Sequence, residues 1–118
     1  MIGVIRKNFK ETVVDEEDRM NIRMSGAIAH LDGNWSLSGV TQIGLKSLSL
    51  ALQQIIPGKA RTLQIDCRYL STIDIIGKQL LDVWMRCARF RGVEPELVNP
   101  PNNLKQCFQS LGLNFRCT

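Results

Sequence analysis

The sequence predicts an α/β domain in which helices cover a mixed β-sheet, with the elements in the order β-β-α-β-α-β-α. Segments with alternating apolar residues, typical of strands, take turns along the chain with segments whose apolar residues recur every three or four positions, typical of helices. Strands that alternate with single helices indicate an α/β layer. The connections are short, so the 118 residues are assigned to a single domain without a linker.

The N-terminal third of the chain is predicted to consist of strands. Residues 9–14, FKETVV, form the first strand, and the acidic residues 15–18 form a turn. The second strand is predicted over residues 19–33, where apolar and polar residues alternate, and the two strands would form a hairpin. Gly26 interrupts the alternation, which predicts a bulge or a kink.

The loop DGNWSLSG leads to the first predicted helix, which begins at Ser38 or Gly39 and runs to about Ile56. Its apolar stripe consists of Leu45, Leu48, Leu52 and Ile55. Residues 61–67, RTLQIDC, are predicted as the next strand, and residues 68–74 as the connection to the second helix.

The second helix is predicted from about Ile75 to Arg91, and Gly92 ends it. Its buried stripe consists of Ile76, Leu80, Val83, Trp84, Cys87 and Ala88. Residues 94–99, EPELVN, form the last predicted strand. The last helix has the i, i+3, i+4, i+7 pattern of Leu104, Cys107, Phe108 and Leu111.

The composition is ordinary for a soluble domain, with 44% hydrophobic and 22% charged residues. No apolar run approaches the roughly 18 residues that span a bilayer, and the N-terminus lacks the apolar core of a secretory signal, so a cytoplasmic location is expected. Much of the net charge of +4 comes from Arg86, Arg89 and Arg91, at a helix end where cations favour the dipole. No nucleic-acid partner is expected, because these arginines are not spread over a face with interleaved aromatic residues. A basic patch that faces an acidic partner or anionic lipid headgroups is equally compatible.

The sequence contains no catalytic or metal-binding pattern. The four cysteines include no CxxC and are expected to be reduced thiols. The single histidine, His30, is predicted as a packed or partly exposed strand residue, which argues against a Ser or Cys triad. Asp66 and Asp74 are interpreted as a strand-end aspartate and a helix N-cap rather than as a carboxylate pair, and there is no Gly-rich phosphate loop. Neither enzymatic activity nor a bound metal or cofactor is expected.

The most specific segment is STIDIIGKQLL, residues 71–81. Asp74 fits an N-cap, because its carboxylate can accept N–H bonds from the first turn, which Ile75, Ile76 and Gly77 then occupy. Adjacent helix residues point about 100° apart, so the two isoleucines cannot both face the same way. Two interpretations stay open: the sheet and a neighbouring helix cover both isoleucines, or one of them lies at the surface in a docking patch. Gly77 costs up to about 1 kcal/mol against alanine and leaves the backbone open to a close neighbour.

The run LQIDCRYLSTIDIIGKQLLDVWMRCARFRGVEPELVNP resembles the STAS domain, the fold of bacterial anti-sigma factor antagonists. That family has a hydrophobic strand ending in Asp, a few residues, and then D-S-S-G or D-T-G-G at the start of a helix; Asp66, Asp74 and Gly77 match this spacing. HLDGNWSL is similar to the loop before the family's first helix. The resemblance covers about residues 20–113 and implies a STAS fold, preceded by an N-terminal strand and acidic turn in residues 1–19.

The resemblance implies a non-enzymatic, regulatory protein–protein interaction module. In the family, the helix start after the second Asp docks on a partner protein. This implies that the partner-binding residues here are Asp74, Ile75, Ile76, Gly77, Lys78, Asn34, Trp35, Ser36 and Ser38. In the anti-sigma branch the partner is a serine kinase of the histidine-kinase-like ATPase fold. It phosphorylates the second Ser of D-S-S-G, which adds a charge of about −2 and breaks the complex.

The sequence departs from the kinase-regulated pattern at the positions that define it. Ile75 and Ile76 stand where the family has its two serines, so neither residue can be phosphorylated. Ser36 stands at the position of the loop aspartate. Ser71 and Thr72 lie nearby and could accept phosphate, although such hydroxyls more often satisfy backbone groups of a loop.

A second branch of the family is similar as well. The STAS subunits of phospholipid-transport ABC systems carry G-x-W-t-L before the first helix, close to GNWSL at residues 33–37. Such a subunit docks on the ABC transporter at the cytoplasmic membrane face, which implies peripheral membrane association through the partner. Its helix start is usually D-T-G-G or D-T-A-G, from which Ile75 and Ile76 also depart. The two alternatives for the partner are thus an anti-sigma factor or serine kinase-like protein and an ABC transporter component.

Overall fold

The computed structural model describes residues 19–56 and 61–117, which form a five-stranded mixed sheet whose spatial order follows the chain. The strands are β1 Asn21–Ser25, β2 Ile28–Trp35, β3 Thr62–Ile73, β4 Glu94–Val98 and β5 Phe115–Arg116. The helices are α1 Gln42–Gln53, α2 Ile75–Phe90 and α3 Lys105–Ser110, with 3₁₀ turns at Leu37–Gly39 and Asn102–Leu104. β1 is antiparallel to β2, and all other neighbours are parallel. The predicted α/β class with a mixed sheet is confirmed.

The N-terminal hairpin differs from the prediction. The segment predicted as one strand over residues 19–33 forms β1 and β2, because Gly26 and the next residue make a two-residue turn. Gly26 has a φ of 63°, the conformation that tight hairpin turns require of a glycine in this place. The prediction of a bulge or kink at Gly26 is therefore wrong. The strand predicted at residues 9–14 and the acidic turn at residues 15–18 lie outside the described residues.

The helices cover one face of the sheet. α1 packs on β1, α2 packs on β2, β3 and β4, and the two helices contact each other. Between them, Trp84 donates its indole N–H to the Leu48 carbonyl at 3.0 Å. The strand residues that point into the core are Ile22, Ala29, Leu31, Trp35, Leu63, Ile65, Cys67, Leu70, Ile73 and Leu97. Along β2 the alternate residues, including His30 and Asp32, point to the other face and are half-buried.

The two predicted stripes are confirmed in part. Trp84, Ala88 and Ile55 are buried, and Leu48, Leu52 and Leu80 pack against the core. The buried residues of α2 are Gly77, Leu81, Trp84 and Ala88, and those of α1 are Gly44 and Ala51. Leu45 and Val83 are exposed, so their prediction as core residues is wrong. The distance between packed elements depends on the side chains at the contact, and short side chains allow the closest approach. A search for large apolar residues therefore misses the faces built on glycine and alanine.

The third helix follows its predicted pattern. Leu104 and Phe108 are buried, and Cys107 and Leu111 pack against the core. The Cys107 thiol donates to the Ile73 carbonyl at 3.3 Å, which places α3 beside the end of β3. In the part of the chain that is described, none of the helices combines the length and apolar character that a membrane span needs.

β3 is longer than predicted and includes the segment expected to be a connection. Its register against β2 shifts between His30 and Asp32 and again between Gly33 and Asn34, so β3 carries an extra residue at each place. Asp66 therefore lies in the middle of a strand, and its prediction as a strand-end residue is wrong. The longer strand carries the chain directly to the N-terminus of α2, next to the end of β2.

Candidate functional site at the start of α2

The N-terminus of α2 is capped by Asp74, as predicted. Its Oδ1 accepts the backbone N–H groups of Ile76 and Gly77 at 2.9 and 3.0 Å, and its Oδ2 accepts the N–H of Leu37 at 3.1 Å. One carboxylate therefore ties the start of α2 to the 3₁₀ turn that follows β2. Partial desolvation acts to raise the pKa of Asp74, but the N–H groups of Gly77, Leu37 and Ile76 together outweigh it and lower the pKa. The carboxylate is ionised at neutral pH, which keeps the cap in place.

Gly77 lies directly against the end of β2. A Cβ on Gly77 would be 1.6 Å from the carbonyl oxygen of Trp35 and 2.6 Å from its carbonyl carbon. The same carbonyl oxygen accepts the N–H of Asp74 at 3.3 Å. The close neighbour for which the sequence leaves room is therefore the chain itself, and a residue with a Cβ does not fit without a backbone shift.

The loop after β2 is braced by its own polar side chains. Asn34 donates its side-chain N–H to the Ser38 hydroxyl at 3.0 Å and accepts the backbone N–H of Ser36 at 3.0 Å. The hydroxyl oxygens of Ser36 and Ser38 are 3.1 Å apart. These side chains are thus engaged within the loop, and the turn presents Leu37, which is 71% exposed, to solvent.

Two large apolar side chains flank the cap. Leu37 is held next to Asp74 by its backbone N–H, and Ile75, which is 52% exposed, follows Asp74 in the chain. Ile76 is half-buried, so the two isoleucines divide between the surface and the interior. We call Leu37, Asp74 and Ile75 the junction surface. It combines a fixed carboxylate with two exposed apolar side chains on a hydrogen-bonded frame.

Not every predicted contact residue reaches this surface. Trp35 is fully buried, and its indole N–H donates to the Asp32 carbonyl at 3.1 Å, so its side chain does not reach this surface. Gly77 is buried too and contributes only its backbone. Lys78 pairs with Asp82 at 2.6 Å along α2. These residues shape the site and are not available as free contacts.

Leu37 is the surface residue that the sequence reasoning missed. It lies inside the predicted loop, but the predicted contacts of that loop are Asn34, Trp35, Ser36 and Ser38. The available signal was a leucine between two serines in a segment otherwise rich in turn residues.

Ser71 is exposed and Thr72 half-buried at the end of β3, in a strand rather than a loop. Phosphorylation of either residue stays a prediction.

A second polar cluster lies on the other face of the sheet. Asp66 is buried and receives His30 Nδ1 at 3.1 Å on one oxygen. Its other oxygen accepts the backbone N–H of Arg68 at 3.0 Å and faces the guanidinium Nε of Arg68 at 3.4 Å. The Asp66 carboxylate thereby accepts the Arg68 N–H at the first register shift, where the hydrogen bonding between β2 and β3 is interrupted. Asp66 and Asp74, the residue after β3, are eight residue steps apart along the strand, roughly 25 Å, so the two do not act as a pair.

The cysteines do not form a reactive group. Burial, reinforced by the neighbouring Asp66 charge, raises the pKa of Cys67 to about 12. Cys67 therefore stays protonated and packs as an apolar residue. Cys87 and Cys107 are half-buried, and Cys117 is exposed.

The arrangement offers a contact surface. Among the described residues, no group of three or more His, Cys, Asp and Glu side chains is placed to hold a metal ion. A comparison with known protein-family models finds no match, and a comparison with curated proteins finds none. The features that bear on function are the geometry of the junction surface and the motifs of the sequence.

Proposed function

We propose that this chain is a non-enzymatic STAS-type module that binds a partner protein through the junction surface. The observation that carries the proposal is the exposure of Leu37 and Ile75 next to a capped helix start. The spacing of Asp66, Asp74 and Gly77, which resembles the STAS family, supports the same location. Binding at this helix start would be a regulatory interaction of the kind made by anti-sigma factor antagonists, in the cytoplasm.

The surface suits a permanent contact. Complete burial of a leucine or isoleucine side chain contributes about 1.5–3 kcal/mol, so covering the exposed parts of Leu37 and Ile75 would add about 2–4 kcal/mol. That amount is typical of a hot spot within a larger interface. Because Ile75 and Ile76 carry no hydroxyl, phosphorylation cannot switch the contact at these two positions.

The test compares variants of two equally exposed apolar residues. Ile75 and Leu50, on α1, are each 52% exposed. Ile75→Asp places an acidic residue in the first turn of a helix, where it suits the dipole, so the fold should be retained. We expect the native protein and Leu50→Asp to capture the same ATPase-type partner from a lysate, and Ile75→Asp to lose it. Equal capture by all three, with unchanged thermal unfolding, would remove the junction surface from the interaction.

The identity of the captured protein separates the two branches of the proposal. Recovery of a serine kinase-like protein or an anti-sigma factor would support the signalling function. Recovery of an ATPase together with a membrane permease would support the alternative, a STAS subunit of a phospholipid-transport ABC system. The loop GNWSL, in which Trp35 is packed against the start of α2, is the feature that favours this alternative. A soluble kinase alone would exclude it.

A further inference from the structure

The outward face of α2 carries one large apolar residue near each end and one near its middle. Ile75, Gln79, Val83, Arg86 and Phe90 are all exposed, and they recur every three or four residues. At 100° per residue they lie within a sector of about 80°, opposite the buried face. Val83 is 52% exposed and Phe90 87% exposed. We call these five residues the α2 stripe.

The α2 stripe is continuous with the junction surface. Ile75 belongs to both, and Leu37 is held beside it through the bond from its backbone N–H to Asp74. Fifteen residue steps along a helix span about 22 Å, or roughly four turns. A surface helix exposes polar residues on this face when only solvent covers it. The spacing of Ile75, Val83 and Phe90 instead matches the apolar face of a second helix laid along α2.

The charges around the stripe point to an acidic partner. Lys78 pairs with Asp82, and Arg89 pairs with Glu94 at 3.2 Å. Arg86, by contrast, forms no ion pair within residues 19–56 and 61–117 and lies inside the stripe. An occupant with a carboxylate opposite Arg86 would therefore complement the one uncompensated charge of this face.

We propose that the α2 stripe docks an acidic amphipathic helix of a partner protein. This inference rests on the proposed function and deepens it, because it gives the partner a chemistry and extends the contact from the junction surface to Phe90. A bilayer is the less suitable occupant. Adsorption to anionic lipid uses several free cations, whereas Asp82 and Glu94 already neutralise the cations that flank the stripe.

The test uses a pair of synthetic peptides. Each has about 18 residues with leucines on one helical face; one carries Glu beside the leucines and the other carries Lys at the same positions. Titrations of the full chain, followed by NMR shifts and fluorescence anisotropy, should show saturable binding of the Glu peptide, with the shifts at Val83, Arg86 and Phe90. The Lys peptide should bind about tenfold more weakly or not at all. Arg86→Glu should reverse this preference, and Val83→Ser should weaken the Glu peptide, whereas Leu50→Ser, at a position of equal exposure, should not.

Several results would overturn the proposal. Equal affinity for the two peptides, or affinity for the Glu peptide that Val83→Ser and Arg86→Glu leave unchanged, would show that the stripe is not the site. Sedimentation of the chain with vesicles containing phosphatidylserine, abolished by Val83→Ser, would assign the face to a membrane instead. A native partner lost with Ile75→Asp but retained with Arg86→Glu and Val83→Ser would leave the proposed function standing and reject only this extension along α2.

Discussion

Replacement of Gly77 by alanine tests the packing at the start of α2. Helix propensity alone predicts that Gly77→Ala stabilises the protein by up to about 1 kcal/mol, because alanine loses less backbone entropy. The structure predicts the opposite sign. The new Cβ would be 1.6 Å from the Trp35 carbonyl oxygen, a separation that real Cβ atoms essentially never show. A backbone atom cannot rotate away as a flexible side chain can, so the helix start or the end of β2 must move.

The magnitude follows from what that movement disturbs. The helix start and the end of β2 must move apart by about 1.4 Å to bring the new Cβ to 3.0 Å from the Trp35 carbonyl oxygen. Forcing an extra carbon into a packed site costs about 1–3 kcal/mol. The shift also loosens the hydrogen bond from Asp74 N–H to the Trp35 carbonyl, worth about 1 kcal/mol, and strains the cap. After the gain in propensity is subtracted, we expect a loss of about 2–3 kcal/mol, from the 5–15 kcal/mol typical of a folded domain.

Urea unfolding followed by circular dichroism measures this difference directly. A loss of 2–3 kcal/mol should appear as a lower midpoint with an unchanged slope, and as a fall in Tm of about 10 °C. Gln79→Ala, at an exposed position on the same helix, serves as the control and should change the stability by less than about 0.5 kcal/mol. A Gly77→Ala protein as stable as the native one would refute the close approach of α2 to Trp35.

Three further predictions concern the charged and sulfur-containing groups. Asp74→Ala should destabilise the protein by about 1–2 kcal/mol and Asp74→Asn by less. Folding lowers the pKa of Asp74, so the native protein should be more stable than Asp74→Asn at pH values above the unfolded pKa. This difference in stability should disappear as the pH falls through the folded pKa. A pH-independent difference in urea midpoints would contradict this. Asp66→Ala should lower the stability by about 2–3 kcal/mol, because it leaves the backbone N–H of Arg68 and the imidazole of His30 without their acceptor. His30→Gln should cost less. Equal losses in unfolding experiments would argue against the role of Asp66 as the acceptor of both groups. Cys67, buried with a pKa of about 12, should resist iodoacetamide at pH 8 while the exposed Cys117 reacts, and mass spectrometry showing equal rates would contradict its burial.

The sequence predicts the helices better than the strands, since β1 and β2 were predicted as one strand and β5 was not predicted. The extent of α2 and the pattern of α3 are read from apolar spacing and caps, which are local signals. Gly26 was the main source of error, because a glycine inside an alternating segment fits a bulge as well as a turn. The choice depends on whether the flanking residues pair with each other, as Ser25 and Ile28 do, and that is a tertiary fact.

The capping of α2 by Asp74 was predicted from the sequence, but the exposed residues around the cap could not be identified in this way. Asp74 as an N-cap follows from residue type and position alone. Which isoleucine faces solvent depends on the rotation of α2, and Gly77 fixes that rotation by packing against Trp35. Leu37 is exposed because Asp74 holds its backbone from 37 residues away, a contact that no local pattern reports.

The division of roles between Ile75 and Ile76 limits how the proposed module can be regulated. A phosphate added at the start of α2 would compete with Asp74 for the N–H groups that Asp74 already binds, and neither isoleucine can carry one. Because Ile76 is half-buried, Ile75 and Leu37 are the apolar side chains at the helix start that remain for a partner to cover. Release of such a partner would then depend on competition for the junction surface, or on a charge change near Arg86, and not on modification of the helix start itself.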